Sequence, residues 1–208
     1  MTLLTWGVVA SAGICLAALT SLVVRTFSFR HAPLLAAPQG SARRGIIYAF
    51  GAGMLPSAKE SARDHLPVYV TGMLYHAGIF SGLLYLLLAV LGILPATLAA
   101  LLRIPVALGA MAGLALMGRR MMVTHLRQLS CPDDFAANLI VDVFLVAAVV
   151  DSLLPAARAP FYLVAILMFL YIPAGKIRHC FFFFYMRVLY GLFFGRRGVL
   201  PHRGVHET

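Results

Sequence analysis

The stretch YIPAGKIRHCFFFFYMR, Tyr171–Arg187, decides how the end of this chain is read. A Pro-Ala-Gly break leads into Lys176, Arg178 and His179, and four phenylalanines follow. An ionisable ring in so apolar a run is expensive to keep and points to a use. Read as the exit of a membrane helix, the stretch sets basic residues at a membrane surface and His179 beside them. Whether that reading stands depends on the rest of the chain.

The chain has 208 residues, of which 62% are hydrophobic and 12% charged. An average soluble domain carries roughly 25% charged residues. With a mean hydropathy of +0.91, there is too much apolar surface for a soluble core to hide, so the class is integral membrane protein. The apolar runs are continuous rather than alternating, which indicates helices and not a β-barrel. The first run, Leu3 to Val24, has no basic residue before it and is long enough to span, so it is expected to stay as an anchor and not to be cleaved. Cys15, Cys131 and Cys180 are scattered without a C-x-x-C pair, so the chain carries no iron–sulfur or zinc framework of its own.

Five spans are expected: about Leu3–Val24, Pro67–Leu94, Ala96–Met117, Leu139–Leu154 and Pro160–Phe184. Each suits a hydrocarbon core of ~30 Å, the fourth being the shortest. The stretch 44–65 is Gly-rich, then polar, then charged, and reads as an interfacial segment. Residues 188–208 read as a tail, and 1–208 as a single membrane domain.

The formal charge of +10 is then explained by topology. Arg25, Arg30, Arg43, Arg44, Lys59 and Arg63 separate spans one and two. Arg119, Arg120 and Arg127 separate spans three and four, and Lys176, Arg178, Arg187, Arg196, Arg197 and Arg203 close the chain. All of these fall on one side of a five-span bundle, and only Arg103 and Arg158 on the other. The positive-inside rule puts that side in the cytoplasm, with the N-terminus outside. The expected fold is an all-α bundle of five transmembrane helices with a cytoplasmic C-terminus. Nucleic acid is not an expected partner.

Of seven histidines, His31, His202 and His206 sit in polar or terminal stretches and His125 among basic residues. His65 opens the second span. His76 lies ~14 Å along that span at ~1.5 Å per residue, and His179 lies near the cytoplasmic end of the fifth. Each is either a packing histidine or one of two imidazoles on different helices at similar depth, the arrangement that bis-imidazole haem ligation requires. Gly72, Gly78 and Gly82 flank His76 and would let a porphyrin approach the backbone. Lys176 and Arg178 would meet haem propionates, or else snorkel to the interface as topological charge.

The stretches GMLYHAGIFSG and LYIPAGKIRHCFF resemble the two haem-bearing helices of the gamma subunit of respiratory nitrate reductase. They are more similar still to the cytochrome b subunits of membrane heterodisulfide reductase and of the sulfite-reduction-associated membrane complex. GMLPSAKESARDHLPVYVTGMLYHAG and LMGRRMMVTHLRQLSCPDDFAANLIVDVFLV resemble the same family, and the match runs from about Arg44 to Pro201. The resemblance implies His76 and His179 as axial ligands of one haem b. The family's two further ligand positions fall at Leu86 and near Phe161, which implies that its second haem is missing, although two are not excluded. It also implies electron exchange between membrane quinone and a cytoplasmic iron–sulfur subunit, of heterodisulfide-reductase type, in the inner membrane of a prokaryote. Candidates for the quinone's proton are His65, Lys59, Glu60, Asp64 and Asp142; for Asp142 the structural alternative is a pair with Arg119 or Arg120. Asp151 is expected to be solvated. The rival class is a haem-free anchor or assembly subunit in which the histidines pair structurally. A small transporter is a weaker third, since no inverted repeat is visible.

Overall fold

The computed structural model describes residues 2–28, 37–58 and 64–200, and Lys59 lies outside them. The longer helices are α1 (Leu3–Phe27), α2 (Ala42–Phe50), α3 (Leu66–Leu91), α4 (Ala96–Met122), α5 (Thr124–Leu129), α6 (Pro132–Leu153), α7 (Arg158–Tyr171) and α8 (His179–Arg196). Among the described residues there is no strand. Five helical stretches are long and apolar enough to cross a membrane: α1, α3, α4, α6 and Lys176–Arg196, while α7 is apolar but shorter. This is a multi-pass α-helical membrane protein.

The expected fifth helix, Pro160 to Phe184, is two helices. Pro173 has no N–H to give and Gly175 is packed against the ring of Tyr171, so the chain turns there. The turn is held from outside: the Lys176 backbone N–H donates to the Asp133 carboxylate at 2.9 Å, and the Tyr171 hydroxyl donates to the same carboxylate. The fourth span also starts earlier than Leu139. Pro132 at the first position and Asp133 and Asp134 in the first turn are favourable helix-start residues, and the Cys131 N–H donates to Asp134 at 2.9 Å. The α3 helix stops at Leu91 because Gly92 takes a left-handed φ of +71°, which glycine adopts without strain.

The chain divides into two compact units: Met1–Ala18 with Pro67–Ile177, and Leu19–Leu66 with Arg178–Thr208. The core of the first is aromatic. Phe144, Leu145 and Phe161 are fully buried, with Phe161 stacked on Phe144 at 5.6 Å between ring centroids and edge-on to Tyr85 at 5.7 Å. In lipid there is little hydrophobic drive between helices, so close backbone approach carries the packing. Gly78 of α3 meets Gly109 of α4 so tightly that a Cβ at either would overlap the other's Cα. One turn on, Gly82 lies under Phe144 and Leu145 of α6. Replacing Gly78 by valine is therefore expected to cost about 1–3 kcal/mol through overpacking. A lowered unfolding midpoint in detergent is the readout; an unchanged one would mean that this crossing is not close.

The second unit is built on another glycine seam. Gly45 of α2 faces Gly191 and Gly195 of α8, and a Cβ at any of the three would strike the opposite backbone. The Gln39 and Gly40 N–H groups both donate to the Arg196 carbonyl, at 2.9 and 3.0 Å, and so satisfy the end of α8. Phe50 stacks on Phe184 and Phe27 sets its edge on Tyr185. The stretch expected to be an interfacial segment thus begins as a packed helix.

Candidate functional site

His76 sits in α3 with its ring exposed. Its Nδ1 is 2.7 Å from the Gly72 carbonyl, one helical turn back. With the proton on Nδ1 and donated to that carbonyl, the lone pair stays on Nε2, the state an axial ligand needs. A side chain at Gly72 would meet nothing within 4 Å, so the space beside the ring is open. Phe80, the next residue on the same face, is 66% exposed. This face of α3 offers a ligand nitrogen in an apolar surround.

The other glycines proposed for a porphyrin are placed differently. Gly78 and Gly82 turn to the opposite face and are filled by Gly109 and by Phe144 and Leu145. Of the three, Gly72 alone shares the open face with His76. Lys176 is also committed elsewhere: its ammonium is 2.7 Å from Asp134, which Arg120 joins at 3.2 Å. Arg178 and His179 are exposed, His179 as the first residue of α8. His76 belongs to the first compact unit and His179 to the second. Among the described residues no group of three or more His, Cys, Asp or Glu gathers as a metal site, which a two-histidine haem does not require. His65 is exposed at the entrance of α3.

Asp142 is 2% exposed and does not pair with Arg119 or Arg120. Asn138, one turn earlier on α6, holds it: Nδ2 donates to Oδ2 at 2.7 Å, and lies 3.3 Å from both the Tyr75 hydroxyl and the Gly113 carbonyl. The Tyr75 hydroxyl in turn donates to the Asn138 carbonyl at 3.3 Å. The Oδ1 atom is buried without a hydrogen-bond partner among the described residues, pressed where Gly113 has no side chain. Asp142 is also among the residues that line an apolar cleft of about 300 Å³, with Leu114 and Phe161. Tyr75, Asn138 and Gly113 were not singled out from the sequence. The i to i+4 spacing of Asn138 and Asp142 was the available signal.

At the far end of α6, Asp151 is not solvated but 2% exposed. Tyr85 donates to its Oδ2 at 2.7 Å and Arg158 Nε lies 2.9 Å from Oδ1. Beside it Arg103 donates to the Ser152 hydroxyl and carbonyl at 2.8 and 2.6 Å. The two arginines that stood apart in the charge count thus tie α4 and α7 to one end of α6. Tyr171 and Lys176 tie the other end of α7 and the turn after it to the start of α6.

No family model, no curated protein and no solved structure matches the chain. The functional reading rests on the residues and on the resemblance that their stretches carry.

Proposed function

We propose that this chain is a membrane cytochrome b subunit that binds one haem b through His76 and His179. In this reading it passes electrons between membrane quinone or quinol and a cytoplasmic iron–sulfur subunit of a respiratory oxidoreductase, in a prokaryotic inner membrane. When bound, the haem supplies one-electron chemistry; the protein supplies ligands, a dry surround and a partner surface. The observation that carries the reading is the His76 ring: it is exposed on α3, and its Nδ1 is held by the Gly72 carbonyl, beside which the space is open. Arg178 stands beside His179 as the candidate for propionates, Lys176 being occupied by Asp134.

The charge pattern supports the orientation. With the shorter apolar helix α7 counted as a crossing, the basic stretches 25–63, 119–127 and 176–203 fall on one side of five crossings. The positive-inside rule makes this the cytoplasm and leaves the N-terminus outside. The basic face there suits an acidic surface on an iron–sulfur partner. For the quinone, the cleft lined by Leu114 and Phe161 fits an apolar tail, and Asp142 is the carboxylate among its lining residues.

A dithionite-reduced minus oxidised spectrum of the purified protein, with haem quantified per chain, tests the proposal. One low-spin b haem per chain is the expected result. A colourless protein would overturn it and leave the haem-free anchor as the better reading.

A further inference from the structure

The second unit carries a concavity that the haem reading does not use. It has a volume of about 360 Å³ and is lined by Gln39, Gly40, Ser41, Arg44, Arg197, Gly198 and Leu200. It lies where the start of α2 meets the end of α8. The backbone there is already satisfied, since the Gln39 and Gly40 N–H groups cap the Arg196 carbonyl and the Ser41 hydroxyl accepts the Arg44 N–H. What remains unsatisfied is charge. Among the described residues neither the Arg44 nor the Arg197 guanidinium meets a carboxylate. The Arg197 guanidinium lies 4.0 Å over the Phe193 ring. Stacking fixes its plane and leaves its N–H edge free to donate. The neighbouring Arg196 Nε is buried without a hydrogen-bond partner among the described residues.

Two arginine forks in one concavity are a recognition unit for a tetrahedral oxyanion, which takes paired N–H donors. The apolar surroundings indicate where that anion comes from. Ile47 and Phe50 on α2 and Phe184 on α8 are exposed in the same unit, so the helix pair that carries the concavity at one end presents apolar surface along its length. We infer that the Arg44–Arg197 concavity binds a phosphate ester, supplied by the headgroup of an anionic phospholipid, and holds α2 and α8 at the membrane surface. This does not depend on haem.

The full-length chain in detergent, offered phosphatidylglycerol, phosphatidylcholine or inorganic phosphate in turn, tests this by native mass spectrometry. Phosphatidylglycerol is expected to remain as a bound adduct, with phosphatidylcholine held on the order of tenfold less. The combined Arg44→Gln and Arg197→Gln variant should lose the adduct on the order of tenfold or more, given two surface cations removed. A charge-matched control, Arg25→Gln with Arg43→Gln, should keep it within about twofold. Should the glutamine pair not fold, Arg44→Lys with Arg197→Lys keeps the charge, removes the planar forks and is expected to show the same direction of loss. Retention of inorganic phosphate, lost in the same pair, would support the oxyanion site with a soluble source. Equal loss in the control, no loss in the Arg44–Arg197 pair, or no binding of either phosphate form would overturn the inference.

Discussion

In His76→Ala, bound haem is expected to fall from about one per chain to near zero, and the low-spin spectrum with it. The argument is local. Of the neighbours of His76 one turn away, Gly72 and Phe80 offer no ligand and Met73 offers only a thioether, which gives a spectrum distinct from that of paired imidazoles. Free imidazole added to this variant should restore part of the spectrum, because it replaces the ligand without replacing the packing. His179→Ala should show the same loss. His125→Ala serves as a control, since that ring lies exposed on α5. A full low-spin spectrum in either His76→Ala or His179→Ala would sink the ligand assignment. Loss in both with the unfolding midpoint unchanged would separate ligation from folding.

Asp151→Ala is the second large effect, and it acts on stability. The Asp151 side chain is fully buried, and its two oxygens take the Tyr85 hydroxyl and the Arg158 Nε. Removing it leaves a half-buried guanidinium and a buried hydroxyl without their acceptor. Breaking a buried pair from one side costs about 3–5 kcal/mol, and the 39% exposure of Arg158 argues for the lower end. The unfolding midpoint in detergent should drop clearly in Asp151→Ala, less in Asp151→Asn, and little further when Arg158→Leu is added to Asp151→Ala. Equal effects of the single and double changes are what a coupled pair produces. Full additivity would show that the two residues act separately.

These side chains mark where sequence reading stops. Continuous apolar runs located the helices, because lipid leaves the backbone few other options. The break after Tyr171 was hidden, since the run is equally apolar on both sides and only Pro173 and Gly175 interrupt it. The polar start of α6 looked like a loop, although Pro132 followed by Asp133 and Asp134 is a helix-start pattern. Gly78 and Gly82 were ambiguous in principle: a small residue in a membrane helix admits either a cofactor or another backbone. Their neighbours, Gly109, Phe144 and Leu145, are distant in sequence. Asp151 failed for the same reason, since Tyr85 lies on another helix. His76 was legible because an ionisable ring inside an apolar helix is rare on any reading.

The α2–α8 seam has a consequence for how the protein is made. Gly45 leaves the ribosome well before Gly191 and Gly195, which lie far downstream of it. At about 5–20 residues per second, α2 waits on the order of ten seconds for its partner while the helices between them enter the membrane. During that interval its glycine face has nothing to close against. Completion of the second unit therefore waits for α8, and a chain cut short before His179 would display an unsealed glycine face on α2.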